Sequence, residues 1–263
     1  MDNVVKALRI LKKYINVFEE SDPQFKAIKR VAEVHGPKAL GVVVGNALVS
    51  YRLKGTGEEY WQEFGEFFSA REPTVENLIE FIKLSKYNVA LKEQKVSRIK
   101  RARRFLERLS ERPEEFRDLE LLRLSAAKAL NAKGTEKTLT FAAKMAYYLF
   151  KALGAETSGD VPVPVDSRVA TVTCSSGLVE GDVEQIMGPK RDEAVRAWSE
   201  AAELAGVRTL HLDALIWLPS RGLRRALCRG VERGRSTLSE NLKSLGVEEH
   251  ELVASLLVRK RCC

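Results

Sequence analysis

Two side chains of this 263-residue sequence stand where chemistry would use them: Lys137 and Asp166. The segment NAKGTEK, residues 131 to 137, joins two helically periodic stretches, LELLRLSAAKAL and TLTFAAKMAYYLFKALG, through a tight turn at Gly134. With Thr135 as N-cap, Lys137 falls in the first turn of the second helix, where backbone N–H groups and the macrodipole are positive. That end disfavours a cation but assists a nucleophilic amine, which must shed its proton. The dipole supplies about 0.3–1 kcal/mol, while bringing a lysine from roughly 10.4 to 8 takes about 3 kcal/mol, so burial or a second cation must add the rest. Lys144, seven residues on, shares the helix face about 10 Å away. The alternative reading is an ordinary, exposed Lys137.

Asp166 follows alternating valines and prolines in VPVPVDSRVATVT, residues 161 to 173. Proline locks φ and pushes the preceding residue out of the α region, so the approach to this carboxylate is stiff. Three readings fit: a strut that delivers Asp166 to one place, an N-cap for a helix running from Arg168 to Thr173, or the tip of an edge strand. The helix after Lys137 carries the chain about 24 Å away by residue 153. The thirteen residues to Asp166 can span about 40 Å, so the carboxylate can return to the amine.

Helical periodicity supplies the elements that must hold these groups. Leu8, Leu11, Ile15 and Phe18 form a first stripe, and SDPQFKAIKRVAEVHG carries a cap at Ser21 or Asp22, Pro23 in the first turn and Gly36 as a stop. KALGVVVGNALVSYRL, EEYWQEFGEFFS, TVENLIEFIKLS, RIKRARRFLERLSER, RDEAVRAWSEAAELAG and LHLDALIWL continue the series. No strand pair with a hairpin turn stands out, so the fold class is all-α, a compact array of ten or more short helices. The longest interruption, residues 154 to 165, invites a functional reading.

At 44% hydrophobic and 30% charged residues the chain reads as a soluble globular protein, with no run near the roughly 20 apolar residues a membrane span needs. A charge of +8 points to a polyanionic partner. Arg and Lys crowd KVSRIKRARR (95–104), SRGLRRALCRGVERGR (220–235) and the terminal RKR; solvated helix faces are the alternative. Cys174 and Cys228 stand alone and Cys262-Cys263 has no metal-ligand spacing, so no zinc site and a reducing, intracellular compartment are expected. Nothing in the sequence accounts for the terminal Cys-Cys.

A lysine at a helical hairpin, followed by an aspartate after a Pro-containing loop, resembles the helix-hairpin-helix DNA glycosylases, most closely their archaeal 8-oxoguanine branch. DPQFKA (22–27), NALVSYRL (46–53), GTGEEYWQEFG (55–65), EKTLTFAAK (136–144), VPVPVDSRVA (161–170) and LHLDALIWL (210–218) match in order and spacing, covering roughly residues 20 to 220. The hairpin reads NAKGT rather than the Leu-Pro-Gly-Val-Gly of the wider superfamily, and no cysteine set serves the iron–sulfur cluster of some relatives. The resemblance implies two helical subdomains with the active-site cleft between them, one spanning residues 57–205 and containing the hairpin, the other built from 1–56 and 206–263.

The activity so implied is excision of 8-oxoguanine from damaged DNA with strand cleavage by β-elimination, with no metal, cofactor, membrane or obligate protein partner. Lys137 would be the nucleophile and Asp166 would orient or deprotonate it and stabilise charge on the sugar. Trp61 and Trp217 would stack on the flipped purine, Asp213 would accept from its N1–H and exocyclic amine, and Gln24 and Lys144 would complete the pocket. The backbone carbonyl near Pro164 would accept from the N7 hydrogen of the lesion. Each has a plainer reading: core for the tryptophans, a cap for Asp213, an exposed first-turn residue for Gln24, a snorkelling Lys144. Trp198 matches no block and is expected in the core. A non-catalytic nucleic-acid-binding module, a protein–protein scaffold and a glycosylase for another lesion are the competing functions.

Overall fold

The computed structural model describes residues 1–134 and 136–263; the cap expected at Thr135 falls outside them. Sixteen α-helices lie among the described residues, with short 3-10 turns and one π turn between them, and one isolated parallel bridge joins Asp118 to Ser158. The chain packs as two compact units, Met1–Asp22 with Pro162–Cys263, and Pro23–Val161. The division implied by the family resemblance falls at 57 and 205 instead. Packing moves those bounds because helices on either side of each expected boundary bury their apolar faces in the same core.

The first unit begins with α1 (Asp2–Leu11) and α2 (Ile15–Ser21). The second holds α3 (Pro23–His35), α4 (Leu40–Val49), α5 (Gly57–Phe68), α6 (Val75–Leu84), α7 (Lys92–Glu111), α8 (Leu119–Leu130) and α9 (Lys137–Ala152). At its centre every residue of α4 is buried, as LGVVVGNALV, apolar but for Asn46, demands. Such a helix needs neighbours all round, and α7 and α9 are its principal ones. Gly41 permits the close approach of α7, since a Cβ there would overlap the Leu106 carbonyl. Local chemistry starts these helices cleanly: Thr74 caps α6 through Asn77 N at 3.2 Å, and Thr56 forms a reciprocal capping box with Glu59 on α5.

The chain then returns to the first unit for α10 (Ser167–Ser176), α11 (Val183–Met187), α12 (Arg191–Ala205), α13 (Thr209–Leu212), α14 (Leu223–Arg229), α15 (Val231–Ser244) and α16 (His250–Leu257). Their core gathers Val4, Leu8 and Leu11 of α1 with Val169 and Val172 of α10, Leu238 and Leu242 of α15, and Leu257 of α16. Trp198 lies in this core, as expected, donating from Nε1 to Thr173 Oγ1 at 2.8 Å. The 154–165 interruption is tied down rather than loose. Ser158 N donates to Arg117 O and Leu119 N donates to Ser158 O, both at 3.0 Å, and Val161, Val163 and Val165 are buried.

All four cysteines are paired, Cys174 with Cys262 and Cys228 with Cys263. Separations of 88 and 35 residues made both bonds invisible to a reading based on local spacing, and the argument for a reducing compartment loses its basis. The terminal Cys-Cys now has an account: it fastens the tail to α10 and α14. Arg259 N and Lys260 N reinforce this by donating to Ser175 O at 2.8 and 3.1 Å. Among the described residues no helix is long and apolar enough to cross a membrane.

Candidate active site

The expected hairpin exists as α8, the turn at Gly134 and α9. Gly134 has φ +89°, its carbonyl accepts from Arg123 Nη1, and Arg123 is held in turn by Glu120 at 2.6 Å. α9 starts at Lys137, with Glu136 as its N-cap residue. The Glu136 carboxylate accepts from Lys133 N at 2.9 Å and Gly134 N at 2.8 Å. Burial raises the Glu136 pKa, but N–H donors of Lys133, Glu136 and Gly134 and the Arg98 charge outweigh it, leaving the group below its ordinary value. An anion at this helix end supplies the charge that the dipole favours, which lets an exposed Lys137 occupy the adjacent position. Arg98 of α7 arrives from the other side, donating to Thr138 Oγ1 at 3.0 Å. Burial lowers the Arg98 pKa.

Further along α9, Lys144 does not snorkel: it is 1% exposed, with its ammonium 4.6 Å from the Tyr148 ring centroid and 5.6 Å from that of Tyr147. Trp61 of α5 is likewise buried, edge-on to Phe64 at 5.1 Å and to Phe141 at 6.1 Å. Phe141 lies between Lys137 and Lys144 on α9. Gln24, in the first turn of α3, is buried rather than exposed. A Cβ on Gly57 would stand 3.7 Å from its Nε2, so the amide sits against the start of the Trp61 helix. Gln24, Trp61 and Lys144 are therefore all enclosed within the Pro23–Val161 unit.

The remaining residues belong to the other unit. Asp166 is the N-cap of α10, the plainer of the expected readings, and the approach through Val163, buried Pro164 and Val165 is fixed by packing. Its two oxygens have separate duties. Oδ1 accepts from Arg168 N at 2.9 Å and Val169 N at 3.0 Å, while Oδ2 accepts from Trp217 Nε1 at 2.9 Å. The Arg168 guanidinium lies over the Trp217 ring, 3.8 Å from its centroid. The carboxylate, the indole and the guanidinium thus form one interlocked group.

Asp213 and Trp217 bound a π turn rather than continuing an α-helix. Such turns insert one extra residue per hydrogen-bonded loop and cluster at functional sites. Asp213 is 8% exposed at the start of the turn, and Trp217 is half-buried at its end. The turn is braced by an acid the sequence reading missed: Glu19 of α2, wholly buried, lies 2.8 Å from His211 Nδ1. Also missed were Arg168, Arg98 and the two tyrosines beside Lys144. Helical spacing could have found Tyr147 and Tyr148, three and four residues after Lys144, and Arg168 stands two residues from Asp166. Nothing local distinguishes Glu19 or Arg98 from neighbouring charges.

The chain is 33% identical over 213 residues to an N-glycosylase/DNA lyase of Methanopyrus kandleri, covering 78% of this chain and 83% of the relative. Another N-glycosylase/DNA lyase, from Aeropyrum pernix, is 33% identical over 276 residues, covering 93% and 89%. The crystal structure of the 8-oxoguanine DNA glycosylase from Pyrobaculum aerophilum, complexed with 8-oxoguanosine, superposes with a TM-score of 0.80 at 28% identity, covering 99% of this chain and 97% of that one. The family model described as AGOG, N-glycosylase/DNA lyase, matches residues 5–254, and the chain belongs to that family.

Proposed function

We propose that this chain releases 8-oxoguanine from DNA and then cleaves the strand through a covalent imine on Lys137. The observation that carries the reading is the Asp166–Trp217 hydrogen bond, which joins two sequence blocks, VPVPVDSRVA and LHLDALIWL, around a carboxylate that also caps α10. A fixed anion suits a reaction in which positive charge grows on the sugar.

In this proposal the Lys137 amine attacks C1′ as the C1′–N9 bond breaks, and Asp166 accepts the proton that the amine loses. Opening of the sugar ring converts the adduct to an imine. Loss of a C2′ proton then expels the 3′ phosphate, and water returns the amine. Trp217 offers a stacking face to the extruded purine, worth about 1–3 kcal/mol per base, and Trp61, wholly buried here, offers a second once the bound base uncovers it. One face of Trp217 already carries the Arg168 guanidinium, so the base takes the other or displaces it. Asp213 accepts from the N1–H and exocyclic amine of the guanine edge, with Gln24 and Lys144 as further polar contacts. The carbonyl near Pro164 receives the N7 hydrogen that separates the lesion from guanine. The substrate is chromosomal DNA inside the cell.

Borohydride trapping on a duplex with one 8-oxoguanine tests the nucleophile. Wild-type protein should yield a covalent adduct and Lys137→Gln none. An adduct that persists in Lys137→Gln, or base release without any trappable adduct in the wild type, rules the mechanism out. A panel of other damaged bases tests the substrate, and faster release of a different base would reassign it.

A further inference from the structure

The basic run SRGLRRALCRGVERGR finds no use in the reaction above, yet the fold sorts five of its six arginines, all but Arg221, into two kinds. Arg224 pairs with Glu184 at 2.6 Å and Arg235 with Glu232 at 2.7 Å. Arg225, Arg229 and Arg233 pair with no carboxylate among the described residues. These three instead line one groove, of about 150 Å³, together with Gly222, Ala226 and Thr237. No acidic side chain lines it, and all three arginines are exposed.

Packing explains why they converge. Arg225 and Arg229 are four residues apart on α14, so they share a face with their Cα atoms about 6 Å apart along the axis. Gly230, with φ 142°, ends that helix and lets α15 begin at the next residue. Gly234 then packs on the Leu227 side chain, where an added Cβ would stand 2.6 Å from Leu227 Cδ2. This close crossing brings Arg233 and the Thr237 hydroxyl, one turn apart on α15, to the same groove as the α14 arginines. Like charges at this spacing repel one another, and apolar packing makes no use of them. The arrangement is suited to an external anion. The planar guanidinium fork matches phosphate oxygens two at a time, and a groove this small and open admits a phosphate with its water but not a base.

We infer that the α14–α15 arginine groove binds backbone phosphates of the DNA substrate outside the lesion. This rests on the DNA-acting reading above but not on the chemistry of Lys137 or Asp166.

The test is the salt dependence of binding to an undamaged duplex, measured for the wild type, for Arg225→Gln/Arg229→Gln/Arg233→Gln, for the corresponding triple Arg→Lys variant, and for Arg224→Gln. Each phosphate contact contributes about 0.9 to the slope of log K against log salt, so loss of two or three contacts in the Gln triple should flatten it by roughly 1.8 to 2.7 and cost about 10- to 40-fold less affinity than wild type loses between 50 and 200 mM salt. The Lys triple should keep the wild-type slope, because it keeps the charges, and Arg224→Gln should keep it because that arginine is already neutralised. Melting temperatures confirm that each variant is folded. An unchanged slope in the Gln triple overturns the inference. So does a Gln triple that loses stabilisation by inorganic phosphate while binding duplex as before, since the groove would then be a site for free anions. If the wild type failed to excise 8-oxoguanine while the slopes behaved as stated, the activity would be wrong and the groove right.

Discussion

Trp217→Phe separates two duties of one side chain. In the structure the indole donates from Nε1 to Asp166 Oδ2 at 2.9 Å, while its ring carries the Arg168 guanidinium on one face. Phenylalanine keeps an aromatic face and loses the donor. Asp166 would stay anchored through Oδ1 by the N–H groups of Arg168 and Val169. Its second oxygen, however, would lose the contact that aims it. A hydrogen bond to a charged group is worth about 1.5–3 kcal/mol, so if that aim serves the chemistry, single-turnover excision should slow by about 10- to 150-fold. Binding should change little, because stacking on a smaller ring survives. Trp217→Ala should show the same slowing plus weaker lesion binding, by the roughly 1–3 kcal/mol of a stacking face. The assay pairs single-turnover excision at saturating enzyme with lesion-duplex affinity measured in a Lys137→Gln background, where no chemistry intervenes. Wild-type chemistry in Trp217→Phe would refute the reasoning. Equal losses of binding and chemistry in both variants would refute it too, since the ring alone would then matter.

Asp166→Asn retains a competent N-cap, so α10 should persist and lesion binding should stay within a few-fold while excision collapses; excision within about tenfold of wild type would remove Asp166 from the chemistry. Burial beside Tyr51 and Asn88 lowers the Lys95 pKa from 10.5 to about 8. The unfolded chain therefore holds more protons between about pH 8 and 10.5, so the buried charge costs stability below pH 8 and that cost fades as pH rises to 10.5. Lys95→Met should stabilise the protein at pH 7, by at most on the order of 3 kcal/mol before its lost polar contacts are counted, and by less at pH 10; denaturant titrations giving the same difference at both pH values would contradict this. The Cys174–Cys262 bond closes a loop of 88 residues. Loop entropy for that length is about 4–5 kcal/mol, or a fall of roughly 8–20 °C in Tm for Cys174→Ser/Cys262→Ser by calorimetry, and an unmoved Tm would show the tail is held by its other contacts.

Each unit holds some site features that could be read in advance and some that could not. The hairpin, the first-turn position of Lys137 and the capping role of Asp166 all depend on neighbours within a few residues, and each was legible. Burial of Gln24 and Lys144 was not, because a helix stripe shows which residues share a face but not whether a charged member of it will be covered. Trp61 had two readings on sequence grounds, and packing against Phe64 and Phe141 places it among enclosed aromatics. The π turn was hidden for another reason: one extra residue per turn leaves the apolar spacing of LHLDALIWL almost unchanged.

What the sequence alone determined is local and periodic. Caps, turns and apolar spacing are set by interactions over three or four residues, and they defined an all-helical chain with an amine at a helix start and a carboxylate at a helix cap. Family resemblance added which of these residues to watch. Only tertiary structure decided that Trp217 holds Asp166 from 51 residues away, that Cys262 and Cys263 close on two different helices, and that three arginines share a groove while Arg224 and Arg235 pair with carboxylates. Those pairings depend on how helix faces are brought together in a core, a property of many distant apolar contacts at once that no short stretch of the chain encodes.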